Sequence, residues 1–269
     1  MSAREFLSEW SNVPKPVIGM LHLLPLPGSP RFGGSMEAIR TAMLRDAETL
    51  AAGGVHAFMI ENFGDVPFYP NCVPASVVAQ ITALALQVRQ RFERPLGINV
   101  LRNDGCAALA AAHAVGAQFI RVNVLCGARV ADQGLIQGIA HDLLRDRAIL
   151  RSDVKILADV DVKHSAPLSP RPLADEVADT LHRGLADALV VSGSGTGQRT
   201  DPQHVRTVKA AAGDAPVFIG SGASPETIGD YLPHCDGFIV GSAFKRDGRV
   251  EEPVDPQRVA AIMRVIQQE

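Results

Sequence analysis

The chain has 269 residues, of which 46% are hydrophobic, and it carries 26 basic against 29 acidic side chains. This length is enough to bury a large core and is close to the roughly 250 residues of one α/β barrel. Because the charges are nearly balanced and form no long runs of one sign, the composition predicts no binding to nucleic acid and no general attraction to anionic lipid.

The cysteines and the N-terminus indicate in which cellular compartment the protein is expected. Cys72, Cys106, Cys126 and Cys235 form no CxxC pair, so neither a zinc knuckle nor a disulfide framework is predicted. Residues 1–15 carry charges and lack the apolar run of a secretory signal, and no other run approaches the roughly 20 residues that span a bilayer. We therefore expect a cytoplasmic protein without a transmembrane segment.

Eight short apolar runs recur along the chain, and each is followed by a segment with helical spacing. The predicted strands cover residues 16–22, 57–62, 95–101, 119–125, 155–162, 188–193, 216–222 and 237–243. The predicted helices cover about 36–52, 74–92, 104–115, 135–150, 172–183, 201–212, 225–232 and 255–268. Strand and helix alternating eight times imply parallel strands joined by right-handed crossovers.

The polarity of the strands favours a closed barrel over an open sheet. The fifth predicted strand places Asp159 and Asp161 on one face, and the fourth does the same with Arg121 and Asn123. Charges beneath a helix layer would be desolvated at a cost of several kcal/mol each, whereas the upper interior of a barrel can hold water. We predict a single (β/α)8 TIM barrel over residues 1–269, with a short N-terminal extension at 1–15.

Polar side chains at the ends of the first five strands are the candidate catalytic groups, because parallel strands bring them to one mouth. The predicted catalytic residues are Glu61, Arg121, Asn123, Asp159, Asp161 and Lys163. The alternative is that these groups form a structural polar plug inside the barrel.

The segment from Asp159 to His164 is the densest group of ionisable side chains. Alternate strand residues lie about 6.5–7 Å apart on one face, so Asp159, Asp161 and Lys163 should shift one another's pKa values. Either aspartate would then accept a proton next to a carbonyl, while Lys163 polarises that carbonyl or forms a Schiff base. The other interpretation of Lys163 is a salt-bridge partner for both aspartates.

A second hypothesis is that the same mouth binds a divalent metal ion. His22, Glu61, Asp159 and His164 offer nitrogen and oxygen ligands for Mg²⁺, Mn²⁺ or Zn²⁺, although their spacing follows no dedicated motif.

The last three predicted strands run into turns rich in glycine and serine. Glycine lets the backbone approach an anion closely, and barrels of this class commonly hold phosphate after strands 7 and 8. The predicted substrate or phosphate-binding residues are Ser192, Gly193, Ser194, Gly195, Thr196, Gly197, Gly220, Ser221, Gly222, Gly241, Ser242 and, from the third strand, Asn99.

Two long loops, 23–35 and 63–73, emerge at the same mouth and are rich in proline and glycine. Such loops in compact domains are usually functional, so they are candidate lids. Their apolar and aromatic content would equally suit a subunit interface, and we expect a homo-oligomer.

Several segments carry a family resemblance. GMLHLLPLPGSP (19–30), IENFGDVPF (60–68), ADVDVKH (158–164) and VVSGSGTG (190–197), with RVNV and the GSGAS and GSAFK turns, resemble the BtpA/SgcQ family. The resemblance implies a barrel fold and, for one member, a role in photosystem I biogenesis as a peripheral membrane protein. Other members resemble components of sugar uptake and metabolism, and no settled reaction comes with the family.

The sequence therefore predicts an enzyme acting on a small phosphorylated sugar or nucleoside-like metabolite, as an isomerase, epimerase, aldolase or related lyase. One alternative is an assembly or stability factor of the BtpA type that associates peripherally with a membrane. The other is a barrel that binds its ligand without turning it over.

Overall fold

The computed structural model describes residues 6–267 and contains a closed barrel of eight parallel strands. Neighbouring strands pair in chain order around the barrel, and the last pairs with the first. The barrel strands are β1 (Val17–His22), β2 (Ala57–Glu61), β3 (Leu96–Asn99), β4 (Phe119–Val122), β7 (Lys155–Val160), β9 (Ala188–Val191), β10 (Val217–Ile219) and β11 (Gly237–Val240). The predicted TIM barrel is confirmed.

Helices surround the barrel and begin where the sequence offers caps. Ser35 and Asp201 each accept a backbone N–H in the first turn of their helices, and Pro202 occupies the first turn of the second. The helices are α1 (Met36–Ala52), α2 (Ala75–Arg91), α3 (Gly105–Val115), α4 (Ala140–Ile149), α5 (Leu173–Ala178), α6 (Pro202–Ala212), α7 (Ile228–Tyr231) and α8 (Pro256–Gln267). No helix within residues 6–267 is long and apolar enough to cross a membrane.

A small antiparallel sheet beside the mouth was not predicted. It joins β5 (Ala128–Ala131), β6 (Gly134–Gln137) and β8 (Ser165–Pro167). The predicted helix 135–150 is therefore wrong before residue 140. The reason is local, since Gly134 adopts φ +91° in the tight turn between β5 and β6, and a positive φ suits glycine in a hairpin.

Other strands and helices also begin or end at residues different from those predicted. The strand predicted over 155–162 ends at Val160, because Asp161 has φ +47° and turns the chain away from the sheet. The helix predicted over 225–232 is reduced to α7, after a turn in which Thr227 bonds the backbone of Ser224 and Gly222. Residue 268 of the last predicted helix lies outside the described residues.

The N-terminal extension closes the lower end of the barrel. Phe6 and Trp10 are each 1% exposed and stack with ring centroids 5.7 Å apart. Both rings also meet the ring of Phe218, which points into the barrel from β10. The described part of the extension therefore forms an aromatic plug, and the ligand-accessible space lies at the other end of the barrel.

Replacing the plug residue Trp10 by alanine should leave a large cavity among apolar side chains. We expect Trp10→Ala to lower the free energy of unfolding by about 3–5 kcal/mol, measured by urea denaturation followed by far-UV circular dichroism. Trp10→Phe is the matched control and should cost much less, because the indole Nε1 has no hydrogen-bond partner to lose within the described residues. A Trp10→Ala variant as stable as the parent would show that the plug does not support the barrel.

Candidate functional site

A buried acid occupies the mouth at the ends of β1, β2 and β3. The Glu61 carboxylate accepts a hydrogen bond of 2.6 Å from the amide of Asn99, and its other oxygen lies 3.6 Å from Nε2 of His22. Burial, followed by the positive charges of Lys245 and Lys163, lowers the pKa of His22 well below 6.5. His22 is therefore neutral at pH 7, and its Nδ1 has no partner within residues 6–267.

An ion pair lies deeper, between β4 and β7. The guanidinium of Arg121 donates from Nη2 to Asp159 at 2.8 Å and from Nε to both carboxylate oxygens at 3.2 Å. The amide of Asn123 donates to the same carboxylate. Asp159 is thus fully used by its neighbours, so it does not fit the predicted role of proton acceptor.

Lys163 reaches the mouth from the loop after β7 and forms no salt bridge with a carboxylate within residues 6–267. Asp159 is paired with Arg121 and Asp161 with Arg129, so the alternative of a Lys163 salt bridge to these aspartates is wrong. Burial and the nearby Arg121 guanidinium lower the pKa of Lys163 from 10.5 to about 8. An ammonium held close to its pKa at neutral pH is typical of a group that exchanges protons or attacks a carbonyl.

The glycine turns after β10 and β11 face these ionisable groups across one narrow cleft, which Thr196 and Gly197 also line. Gly222, Ala223, Ser242 and Ala243 line this cleft, and none of their backbone N–H groups donates a hydrogen bond within residues 6–267. Free N–H groups on glycine-containing turns can bind an oxyanion.

Two of these glycines stand where there is no room for a side chain. A Cβ on Gly241 would lie 2.7 Å from the His22 ring, and a Cβ on Gly222 would lie 2.5 Å from the backbone of Arg199. Gly222 also has φ +72°, which other residues rarely adopt. Side chains at these positions would fill the cleft or distort its wall.

The cleft opens into a larger cavity of about 260 Å³, and the two share Glu61, Phe63, Arg121, Lys163 and Thr196. One continuous space thus connects the glycine turns with Glu61 and Lys163. This is the candidate functional site.

Several predicted site residues lie elsewhere. Asp161 turns outward, binds Arg129 at 2.6 Å and lies 3.9 Å from His204, because its positive φ breaks the strand alternation. Ser192, Gly193 and Ser194 line a separate outer pocket beside Asp161.

Gly195 packs against Gln198 and the His164 ring, outside the cleft. The side-chain amide of Asn99 donates its hydrogen bond to Glu61, so Asn99 positions that carboxylate and does not face a ligand. The predicted binding set therefore contracts to Thr196, Gly197, Gly220, Ser221, Gly222, Gly241 and Ser242.

The predicted metal ligands do not form one group. His22 lies beside Glu61, whereas Asp159 is paired with Arg121 and His164 contacts Thr196. Within residues 6–267 no three His, Cys, Asp or Glu side chains are placed to hold a metal ion. The structure therefore brings His22 and Glu61 together but not the other two predicted ligands, and the Asp159 carboxylate is paired with the Arg121 guanidinium.

The sequence analysis missed Arg102, which is buried and lines the larger cavity together with Phe68 and Gln133. Arg102 follows a predicted strand end, as the recognised candidates do, and this was the available signal. Gln133 was missed because it lies between the predicted strand 119–125 and the predicted helix 135–150, where no element was predicted.

Removing the carboxylate of Asp159 should leave the buried Arg121 charge without a partner. We expect Asp159→Ala to lower the free energy of unfolding by about 3–5 kcal/mol, measured by urea denaturation. The control is Asp179→Ala, which breaks a half-exposed pair with Arg171 and should cost less than about 1 kcal/mol. Equal effects in the two variants would contradict the assignment of Arg121–Asp159 as the central pair.

Comparison with known proteins identifies the family to which the chain belongs. The profile of the BtpA family matches residues 13–268. The chain is 48% identical to the photosystem I biogenesis protein BtpA of Synechocystis sp., over 92% of this chain and 86% of that one. It is 47% identical to an uncharacterized protein of Thermococcus kodakarensis (93% and 94%) and 32% identical to an uncharacterized mitochondrial protein of Caenorhabditis elegans (98% and 98%).

Solved structures share the architecture at low identity. N-(5'-phosphoribosyl)anthranilate isomerase from Pyrococcus furiosus superposes with a TM-score of 0.59 at 12% identity, over 95% of this chain and 100% of that one. N-acetylmannosamine-6-phosphate 2-epimerase from Clostridium perfringens gives 0.56 at 14% identity, over 88% and 90%. These likenesses show the barrel fold alone, whereas the sequence matches show that the chain belongs to the BtpA family.

Proposed function

We propose that this protein is an enzyme that binds a small phosphorylated sugar or nucleoside-like metabolite and moves a proton next to its carbonyl group. One observation carries the proposal: four residues whose backbone N–H groups donate no hydrogen bond within residues 6–267 line the same cleft as Lys163, which forms no salt bridge with a carboxylate there. An oxyanion at the glycine turns would satisfy these N–H groups and would be attracted by the cation.

Each group in the cleft has its own role in the proposed reaction. A phosphate on the turns of Gly222 and Gly241 directs the rest of the molecule towards Glu61 and Lys163, which line the same cleft. Glu61 then accepts the proton, since its carboxylate is fixed by Asn99 and, within residues 6–267, pairs with no guanidinium or ammonium. Lys163 stabilises the oxyanion that forms on the carbonyl oxygen, and neutral His22 lies close enough to relay a proton.

This arrangement fits the isomerase, epimerase and aldolase classes alike, because all begin with charge developing on a carbonyl oxygen. Asp159 takes no part in the proton transfer. Its pairing with Arg121 fixes the floor of the cleft instead, and Nη2 of Arg121 also lies 3.5 Å from Oγ of Ser192, the residue that directly follows β9.

The relative in Synechocystis sp. supports a second candidate function, because its name describes photosystem I biogenesis and it covers most of this chain. In that case the barrel would act as an assembly factor and its mouth would be dispensable. Apolar side chains such as Tyr69 and Leu168 are exposed on the mouth side and could meet a partner. Flotation with membranes that survives replacement of Lys163 would support this candidate.

The first test measures binding. We expect calorimetry to detect ribose 5-phosphate but not ribose, and Gly241→Ala to weaken the binding at least about tenfold, because the new methyl group enters the cleft. Gly229→Ala is the control, since its Cβ meets no atom within 4 Å. Equal binding of ribose and its phosphate would contradict the proposal.

The second test measures proton transfer. Sugar phosphates incubated with the protein in D₂O should incorporate deuterium next to the carbonyl, followed by NMR. Glu61→Gln should slow the exchange at least about 100-fold, the usual contribution of a general base. Asp161→Asn should not slow it, because Asp161 faces the outer pocket. The absence of exchange in every sugar phosphate tried would argue against the proposal.

The same exchange should depend on the charge of Lys163. Lys163 carries its proton below its pKa of about 8, so polarisation of the carbonyl predicts that exchange falls as the pH rises through 8. Exchange that rises through pH 8, with a covalent adduct trapped by borohydride, would instead assign a Schiff base to Lys163.

A further inference from the structure

Lys163 reaches the barrel mouth on a turn that lies beyond the end of its strand. β7 ends at Val160, and the turn contains two residues with left-handed backbone, Asp161 at φ +47° and His164 at φ +57°. Such backbone is unfavourable for residues other than glycine, so it persists only where the surroundings hold it. The contacts of this turn therefore decide where the Lys163 ammonium lies.

The two ends of the turn are held by neighbouring segments. The backbone N–H of Asp161 donates to the Glu176 carboxylate at 2.8 Å, and the Asp161 carboxylate pairs with Arg129 at 2.6 Å. At the other end, the backbone N–H of His164 donates to the carbonyl of Ser194 at 3.3 Å. These bonds fix the ends of the turn and do not involve the backbone carbonyl of Lys163.

The Lys163 carbonyl is bound by Arg102, which follows β3. The Nη2 of Arg102 donates to this carbonyl at 2.6 Å, and the two residues both line the cavity of about 260 Å³. The backbone N–H of Arg102 donates to the carbonyl of Tyr69 at 3.0 Å, in the loop 63–73. Arg102 thus joins the turn that carries Lys163 to one of the two candidate lids.

The environment of Arg102 is costly for a residue with a purely structural task. Only 4% of the residue is exposed, and within residues 6–267 its side chain makes this one hydrogen bond and no salt bridge. Burying a guanidinium without a carboxylate partner is unfavourable, and an apolar side chain would fill the same place at lower cost. Perturbed charges of this kind cluster at functional sites.

Several charges act on Lys163 from the elements around it. Burial is the main cause of its lowered pKa of about 8, and the charged groups that raise or lower this pKa further are Arg121, Glu61, Asp159 and Arg102. Burial and nearby cations, Lys163 among them, also lower the pKa values of His22 and His164, so both histidines stay neutral while Lys163 titrates. Loss of the Arg102 charge should therefore raise the pKa of Lys163.

We propose that Arg102 is a positioning residue for Lys163, which fixes the carbonyl of the turn that carries the ammonium and keeps a second positive charge in the same cavity. The inference rests on the proposed function, in which Lys163 stabilises an oxyanion on the substrate. Arg102 acts through Lys163 and is not among the residues that line the glycine cleft, so binding of a phosphate there does not require it.

The first test observes Lys163 directly. The full chain labelled with ¹³C at lysine Cε is titrated by NMR, and the Lys163 signal is assigned by its loss in Lys163→Met. We expect Lys163 to titrate near pH 8 in the parent. It should titrate at a higher pH in Arg102→Gln, which keeps a donor without the charge, and in Arg102→Met, which keeps neither. Arg102→Lys keeps the charge and should stay closest to the parent.

A matched variant controls for the loss of any half-buried arginine. Arg94 also donates to backbone carbonyls, those of Val55 and Ala51, and it does not line the cavity. Arg94→Met should leave the titration of Lys163 unchanged. The same titration in Arg102→Gln, Arg102→Met and the parent would overturn the proposal. If Arg102→Met does not fold, Arg102→Gln and Arg102→Lys decide the matter.

The second test measures turnover. With the sugar phosphate that exchanges fastest in D₂O, Arg102→Met should lower kcat at least about tenfold, because a displaced catalytic group loses its alignment. The affinity for ribose 5-phosphate should stay within about twofold of the parent. In Arg102→Gln the fall in exchange expected near pH 8 should move to higher pH. A tenfold loss of affinity with kcat unchanged would instead assign Arg102 to ligand binding and overturn the proposal.

The two proposals fail differently. If no sugar phosphate exchanges deuterium in the parent, the proposed function is overturned, while the NMR titration still decides whether Arg102 controls Lys163. If exchange occurs and depends on Glu61, but the Arg102 variants titrate and turn over like the parent, only the role of Arg102 is overturned.

Discussion

The buried ion pair between Arg121 and Asp159 is the constraint on which the site depends. Both side chains lie inside the barrel, and three hydrogen bonds join them. Two charges taken out of water are tolerated together, whereas either alone would be strongly unfavourable. Because Asp159 is committed to Arg121, it is not available to neutralise Lys163. Among residues 6–267 the Lys163 ammonium therefore forms no salt bridge, and it lies in the same cleft as the glycine turns; burial and the nearby Arg121 lower its pKa to about 8.

The interior is arranged in layers along the barrel axis. Aromatic side chains of the N-terminal extension pack against Phe218 at the lower end. The ion pair forms the middle layer, and the open layer above it holds Glu61, Lys163 and the glycine turns. The small antiparallel sheet stands beside this open layer and is tied down by Arg129, which bonds both Asp161 and Ser165. A residue that alternation alone would assign to catalysis thus anchors a wall of the site.

The alternation of polar and apolar residues within strands determined how much of the fold could be predicted from the sequence. Alternation within strands and caps at helix ends are local, so eight strands, their order and the pairing face of Arg121 followed from them. Alternation gives no information once the chain leaves the strand, and Asp161 was misplaced for that reason. The hairpin of β5 and β6 is short, and the apolar residues of β6 fitted the beginning of a helix equally well. Arg102 was missed because its position after a predicted strand end does not by itself distinguish a buried arginine from a solvated one, and its environment comes from elements distant in sequence.

The central claim is that the glycine turns and Lys163 jointly bind a phosphorylated molecule in the barrel mouth. The most direct measurement is a crystal structure grown with ribose 5-phosphate. The account predicts a phosphate group at the backbone N–H groups of Gly222 and Ser242, with the sugar directed towards Glu61 and Lys163. A phosphate found instead in the outer pocket beside Asp161, Arg199 and His204, with the mouth containing only water, would contradict it.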